Sequence, residues 1–567
     1  MTWSLCEPAR RLRWTSLVLA VGCSRILGLM TGDAPCETDL DCSRGNVCVA
    51  HQCQRPVSSV TEDPGDDEPG RGGGGATTRG DVTTRGEGGA GAADVEGETG
   101  SEGSSGNVGG KGEYGGGGGR ESDEGAGGSV EPCAPYRCEA VATLKASNAG
   151  KDDAFGNAAA LAGDTLVVAG WLEDSGGAGV DPAQNDEHSD ASGAAYVFVR
   201  GDHAWTQEVF LKAPVNVSGM RFGTSLAIEL PWLVVGASHA DGGYVSVFER
   251  TTRWVAKAML RGSNTEEGDE FGRFVAISGT TLVATAYWED SSATGVDGDQ
   301  LDNGMSKSGA AYVFELNQGA WQQTAYLKAS NTGRGDIFGG ALAFDGTTIA
   351  IGSRQEDSAD RGVDGVGEDD DAPNSGAVYL FERHEGSWIQ TAYLKSSNSD
   401  PHDEFGSYLA IDGDTLAVGA RLEDSAATGV DGDQDDNSAK DSGAVYVFVR
   451  SGSGWVQQAY LKASNTGPGD RFGTRVALRG DLLAVGATGE SYDGSGPDND
   501  GAEDSGAVYL FKRTGTTWAQ VDYFKAPSPR VGAEFGLDLV MDEKTLLVGA
   551  WKDSGFGPKS GAAYVFR

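Results

Sequence analysis

The sequence predicts an all-β chain in which residues 139–567 form a seven-bladed β-propeller of four-stranded antiparallel blades. Three observations predict it. A Phe-Gly pair recurs at Phe155, Phe222, Phe271, Phe338, Phe405, Phe472 and Phe535, with steps of 67, 49, 67, 67, 67 and 63 residues. Each period holds short β-prone runs and no helical period. The last period lacks its fourth run, while an unmatched one stands before the first. A fixed period with a fixed internal text is the signature of a repeat architecture.

The unit at Phe405 shows the elements in order. Tyr408–Ile411 and Thr415–Val418 are two β-prone runs split by Asp412, Gly413 and Asp414, which reads as a hairpin. A long acidic insertion follows, RLEDSAATGVDGDQDDNSAKD. The third run, Ala444–Val449, alternates around Tyr446, Val447 and Phe448. A turn over Ser451–Gly454 leads to the fourth, Trp455–Lys462. A lone twisted sheet cannot bury both faces, whereas copies set radially around an axis can. Blade two lacks the insertion (GASHADGGYVSVF, 236–248), which accounts for its step of 49.

The chain stops at GAAYVFR (561–567), a third strand with no fourth after it, while VATLKASN (141–148) has the text of the fourth strand QAYLKASN (458–465). The N-terminal strand is therefore expected to complete the last blade. Hydrogen bonds between the chain ends then zip the ring and leave no open edge.

The blocks LKASN, FG, LAVGA, EDS and SGAVYVF resemble the FG-GAP repeats of bacterial secreted proteins, and the chain is similar to the ligand-binding propeller of integrin α subunits. The resemblance covers about 139–567. It implies the fold more firmly than a function, because function lives in sites grafted on folds. It also implies a calcium loop, D-x-D-x-D-G-x-x-D, between strands one and two. Here that turn is only Ala162-Gly163-Asp164, Ser278-Gly279-Thr280 or Asp412-Gly413-Asp414, too short to wrap an ion that takes six to eight oxygens.

Acid stands instead in the insertions between strands two and three. Blade three has VDGDQLDN (296–303), blade five VDGDQDDN (430–437), blade four VDGVGEDDD (363–371), blade one VDPAQNDE (180–187) and blade six PDNDG (497–501). Asp297, Asp299 and Asp302, with Asp431, Asp433 and Asp435, are candidate Ca²⁺ ligands. Alternate carboxylates about a Gly resemble the way a calcium loop folds its oxygens inward, and crowded carboxylates repel without a cation. The other reading is a solvated acidic loop that keeps the protein soluble.

Other recurrent positions read as architecture, since a site usually exists once. Asp153, Asp269, Asp336, Asp403 and Asp470 stand two before the Phe of the pair and are expected to accept backbone N–H bonds. The Glu-Asp-Ser triplets at Glu173, Glu289, Glu356 and Glu423 are expected to hold the base of the insertion. Trp205, Trp254, Trp321, Trp388, Trp455 and Trp518 open fourth strands and are expected to pack between blades.

The formal net charge of -40 leaves no basic footprint for nucleic acid and disfavours anionic lipid. Residues 1–23 read as an export signal, with Arg10, Arg11 and Arg13 before a short apolar stretch. Leu-Ala-Val-Gly-Cys (19–23) resembles a bacterial lipobox with Ala20 where Leu is usual, making Cys23 the candidate lipidation site; plain secretion is the alternative. Residues 24–54 form a Cys-rich mini-module in which Cys36, Cys42, Cys48 and Cys53 read as two disulfides of open connectivity, with zinc the weaker reading. Cys133 and Cys138 read as a third bridge. Residues 55–131 are Gly-rich, acidic and poor in large apolar residues, the composition of a disordered tether.

Two function classes follow. One is an exported, membrane-tethered, non-catalytic and monomeric surface propeller that binds an extracellular protein or glycan through its loops, with calcium-dependent adhesion one form of it. The other is a secreted hydrolase or lyase with a carboxylate-based site; a purely structural envelope component is a third option. Against catalysis, the six His are scattered and neither G-x-S-x-G nor H-E-x-x-H occurs. Arg-Gly-Asp at 79–81, 200–202, 334–336 and 479–481 reads as chance in a chain this rich in Gly and Asp.

Overall fold

Seven four-stranded antiparallel sheets make up the propeller in the computed structural model. It describes Val47–Val49, Gln52–Gln54 and residues 140–567, apart from 185–187, 203, 368 and 493–500. Blade five is representative: Phe405–Asp412, Thr415–Ala420, Ala444–Ser451 and Gly454–Leu461 pair in that order. The second strand, TLAVGA, is buried at every position. It reads as a continuous apolar run because both its faces meet neighbouring blades, as in any sheet covered on two sides. The fourth strand alternates at its start, where Trp455 is buried, and buries its Ala-Tyr-Leu end.

The ring closes as the chain ends predict. The last blade is built from Asp538–Met541, Leu546–Ala550 and Ala562–Phe566, and its fourth strand is Ala142–Leu144. Thr143 stands opposite Tyr564 and Leu144 opposite Ala563. Leu144 is buried among Leu547, Val565 and Phe155. Blade two carries only a short turn, Ala240–Gly242, between its second and third strands.

The recurrent Phe-Gly and Ser-Gly-Ala texts interlock across every blade boundary. Gly406 has φ +86°, and a Cβ there would lie 2.6 Å from the Ala377 carbonyl of the preceding blade. Gly376, at φ +83°, would meet Phe405 O at 2.1 Å. Only glycine allows two backbones to approach so closely in that conformation. The Phe405 N–H donates to Ser375 O at 2.9 Å, and at the seam of the ring Phe155 N–H donates to Ser560 O at 3.2 Å. The Phe405 ring then packs edge-on against Tyr446 and Phe448.

In the Cys-rich segment, Val47–Val49 and Gln52–Gln54 form a hairpin with Cys48 opposite Cys53 in its register. The leader, Cys23, Cys36, Cys42, Cys133, Cys138 and the Gly-rich segment lie outside the described residues.

Candidate functional site

Insertions and strand-four exits share one face of the ring. Four insertions double back onto the fourth strand of their own blade, through Val180–Leu211, Val296–Leu327, Val363–Leu394 and Val430–Leu461 bridges. Asp297 clasps Tyr326 twice: its own N–H donates to Tyr326 O at 2.8 Å, and its Oδ1 accepts from Tyr326 N at 2.9 Å. Asp431 holds Tyr460 in the same way, and Asp181 and Asp364 accept from Phe210 and Tyr393.

The candidate calcium ligands are thus partly occupied. Asp299 and Asp433 cap the turns at Leu301 and Asp435, and Asp302 accepts from Ser292. Among the described residues, no three His, Cys, Asp or Glu side chains converge to hold an ion. The six aspartates do not form a calcium cage as they stand. Backbone N–H groups, as well as a cation, satisfy a carboxylate.

Beneath the insertions lies a buried polar network that the sequence only half revealed. The triplet Glu423 is paired at 2.8 Å with Lys462 of the fourth strand, and the two side chains are 1% and 0% exposed. Tyr460 Oη donates to Glu423 Oε1 at 2.7 Å, and Lys462 Nζ donates to Ser442 Oγ at 2.7 Å. Asn398, from the preceding blade, donates to Glu423 and accepts from Tyr446. The same Glu–Lys pair recurs as Glu173–Lys212, Glu289–Lys328, Glu356–Lys395 and Glu490–Lys525. Blade two substitutes Asp241–Arg261 and blade seven Asp553–Lys145. The adjacent Asp of the triplet accepts from the far end of the insertion, as Asp424 does from Asp441 N at 2.7 Å.

The aspartates two before each Phe accept the expected N–H bonds, Asp336 from Gly333 at 2.8 Å and Asp403 from Asp400 at 3.2 Å. Burial pushes Asp269 and Asp336 up to about 7 and Asp403 to about 8. Neighbouring carboxylates add to this. A carboxyl raised in the folded state binds protons that the unfolded chain has already released, so its stabilisation is complete below about pH 4 and is lost as pH rises through 7–8. His239, lowered to about 4 by burial and by Arg221 and Arg273, acts oppositely but only below its usual 6.5. Between pH 6.5 and 8 the melting temperature is therefore expected to fall, and Asp336→Asn/Asp403→Asn to flatten that slope. Scanning calorimetry across this range checks it; a rising or unchanged slope contradicts it.

The channel opens on the same face. Its mouth carries Trp171, Tyr287, Trp551, Arg221, Arg273, Arg354 and Arg421, from the starts of first strands and the ends of second strands. Arg221 lies 5.0 Å over the Trp171 ring, and Trp171 meets Trp551 edge-on. Glu404 accepts from Arg354 and Arg421, and Glu534 from Trp551 and Lys552. One corner gathers titratable groups: His239 Nε2 is 3.6 Å from Glu270, and burial raises Glu270 and also Tyr287, to about 12. Arg221 donates to that same Nε2 at 2.6 Å. An arginine has no lone pair to offer, so the ring nitrogen is the acceptor and is engaged. His239 is held as a strut for Arg221 rather than free as a base.

The opposite face is built from short turns and is stapled. Arg450 reaches Thr348 of the preceding blade at 3.0 Å and stacks 4.7 Å over Trp455. Arg250, Arg513 and Arg200 bond Thr165, Thr415 and Thr545, the last across the ring seam. The fourth-strand tryptophans pack between blades, with Trp518 Nε1 donating to Gln458 of blade five at 2.9 Å. Arg200 thus belongs to a staple and Asp336 is buried, so neither of those Arg-Gly-Asp texts is presented as a ligand.

No curated protein matches the chain. Among solved structures it is similar to a Bacteroides uniformis protein taken to be a 6-phosphogluconolactonase, with TM-score 0.41 and 12% identity over 69% of this chain and 90% of that one. It is also similar to the periplasmic gluconolactonase of Pseudomonas aeruginosa, with TM-score 0.38 and 13% identity over 66% and 86%. The WD40 domain of Toxoplasma gondii coronin gives 0.38 and 8% over 76% and 84%. The FG-GAP repeat model matches residues 254–314, 321–381, 388–448, 455–511 and 518–566, more than half of the chain. Each match runs from the fourth strand of one blade to the third of the next, in phase with the interlocking Phe-Gly and Ser-Gly-Ala contacts. The chain belongs to the FG-GAP repeat family.

Proposed function

We propose that this chain is an exported, non-catalytic binding propeller, tethered through a lipid on Cys23, that engages an extracellular protein or glycan with its insertion face. The asymmetry of the two faces carries the reading. Leu301, Val366 and Phe556, at 90%, 73% and 70% exposure, are apolar tips on insertions pinned from below. Loops presented on a rigid scaffold are where binding residues concentrate. An enzyme is the second reading, favoured by the His239–Glu270–Tyr287 corner, but Nε2 of His239 is already engaged by Arg221.

The test is saturable adsorption of the full chain to intact cells and to an array of surface glycans. Leu301→Asp/Val366→Asp/Phe556→Asp is expected to weaken adsorption at least about tenfold, as loss of interface anchors does. Ile389→Asp/Val456→Asp, on outer strands, is expected to leave it unchanged. Equal loss in both variants, or none in either, sinks the reading. In the same assay chelator is expected to change neither adsorption nor melting; a drop in both would return calcium to the insertions. A mature N-terminus without diacylglyceryl-Cys23 by mass spectrometry would remove the tether.

A further inference from the structure

One set of equivalent positions does not follow the repeat. Around the ring the Glu–Lys pairs, the interlocking glycines and the buried tyrosines repeat, but the position after each Phe-Gly reads Asn157, Thr224, Arg273, Gly340, Ser407, Thr474 and Leu537. The next reads Ala158, Ser225, Phe274, Ala341, Tyr408, Arg475 and Asp538. These residues lie near the top of the channel, and some of them, such as Asn157 and Ser225, bond the next blade. Ten of the fourteen help to line a cavity of about 520 Å³ to which all seven first strands contribute. That is the size of a small-molecule site.

The lining has the opposite charge balance to the chain. The protein has 84 acidic and 44 basic residues, yet the charged residues lining this cavity are Arg273 and Arg475, with no Asp or Glu. Arg475 answers the fully buried Asp538 and lies over Tyr408. Arg273 is different. Its guanidinium lies 5.6 and 5.5 Å over the Phe274 and Tyr287 rings and makes no salt bridge among the described residues, although its charge reaches Glu270. Trp171 and Trp551 wall the entrance.

Deeper along the same strands the lining becomes aliphatic, with Leu226, Ile228, Leu342, Leu409 and Leu539. At the far end, the turns after the first strands carry Glu229, Asp345, Asp412 and Asp542, with Arg479 and Lys544 the opposing charges. The channel is thus cationic and aromatic at the insertion face, apolar in the middle and acidic at its exit. A negative head is favoured at the first level and repelled at the last, while an apolar body is favoured between them.

We propose that the channel binds an amphipathic monoanion, a carboxylate head on an aliphatic or aryl body, with the head on Arg273 and the body among the aliphatic side chains below. A guanidinium with no salt bridge of its own matches one carboxylate in planar, two-point geometry. The ring stack holds that guanidinium in place before the ligand arrives. The site is separate from the apolar tips of the insertions and does not depend on them.

Calorimetric titration of the full chain with octanoate tests it, with acetate as head alone, octanol as body alone and octylammonium as reversed charge. Octanoate is expected to bind at least about tenfold more tightly than each of the three. Arg273→Gln is expected to abolish that preference and leave octanol binding as it was, and Arg273→Lys to retain part of the preference. If Arg273→Gln fails to fold, Leu409→Trp, which fills the cavity, is expected to exclude octanoate and octanol alike. The proposal is overturned if octanoate binds no better than acetate or octylammonium, or if Arg273→Gln binds it like the parent. Failure here leaves surface adsorption untouched, and the insertion-tip variant is expected to lose adsorption while still binding octanoate.

Discussion

Deleting residues 141–148 from the full chain is expected to lower stability by about 3–5 kcal/mol and to make the protein self-associate. Burying Leu144 contributes about 2 kcal/mol by itself. Its strand also forms backbone bonds to Ala562–Phe566, among them Val141 N–H to Val565 O at 2.7 Å, each a further net stabilisation of about 1 kcal/mol. The deletion also removes Lys145, which pairs with Asp553, and Asn148, which joins Glu173 and Tyr196 of blade one. The exposed edge would be Ala-Ala-Tyr-Val-Phe, flat and apolar, the kind of strand that recruits another chain. Urea melts and sedimentation read both effects. A deletion variant that melts like the parent and sediments as a monomer contradicts the closure.

Lys462→Met is expected to cost about 3–5 kcal/mol, because it leaves the Glu423 carboxylate buried without its cation. The double variant Glu423→Gln/Lys462→Met is expected to recover most of that loss. Gln keeps an acceptor for Tyr460 and Asn398, and the charge that needed solvation is gone. Burial already pushes the Lys462 ammonium below its usual value, with Glu423 pulling it back up. The pair therefore fixes geometry within blade five, and through Asn398 with the preceding blade, more than it adds net stability. Urea midpoints for the two singles and the double give the coupling directly; a double variant as unstable as the sum of its singles contradicts this account.

Much of this was legible in the sequence because repetition acts as an internal control. Phe-Gly fixed the phase, and the shared LKASN text identified Ala142–Leu144 as the missing strand before any pairing was known. The aspartates two before each Phe were legible for the same reason. The Glu–Lys pair was missed although its signal was present. Both residues recur in the same five blades, and both change together in blade two, with Asp241 and Arg261.

Two of the candidate calcium residues, Asp297 and Asp431, carry a structural role that the sequence reading did not name. Asp181, Asp297, Asp364 and Asp431 each stand 29 residues before the aromatic residue whose N–H they accept. Recurrence of that kind marks architecture, and the charge of the loops obscured it. The channel lining could not be read at all. It joins single, non-repeating positions from first strands one period apart, and nothing local in the sequence says which of them face the axis.

Hydrogen exchange of the 140–148 segment tests the closed ring most directly. The account predicts that the amides of Val141–Leu144 are protected to the same degree as those of an internal fourth strand such as Gly454–Leu461, since both are ladder-bonded inside a blade. Exchange of that segment at the rate of a free chain end, with Ala562–Phe566 exchanging as an open edge, would contradict it.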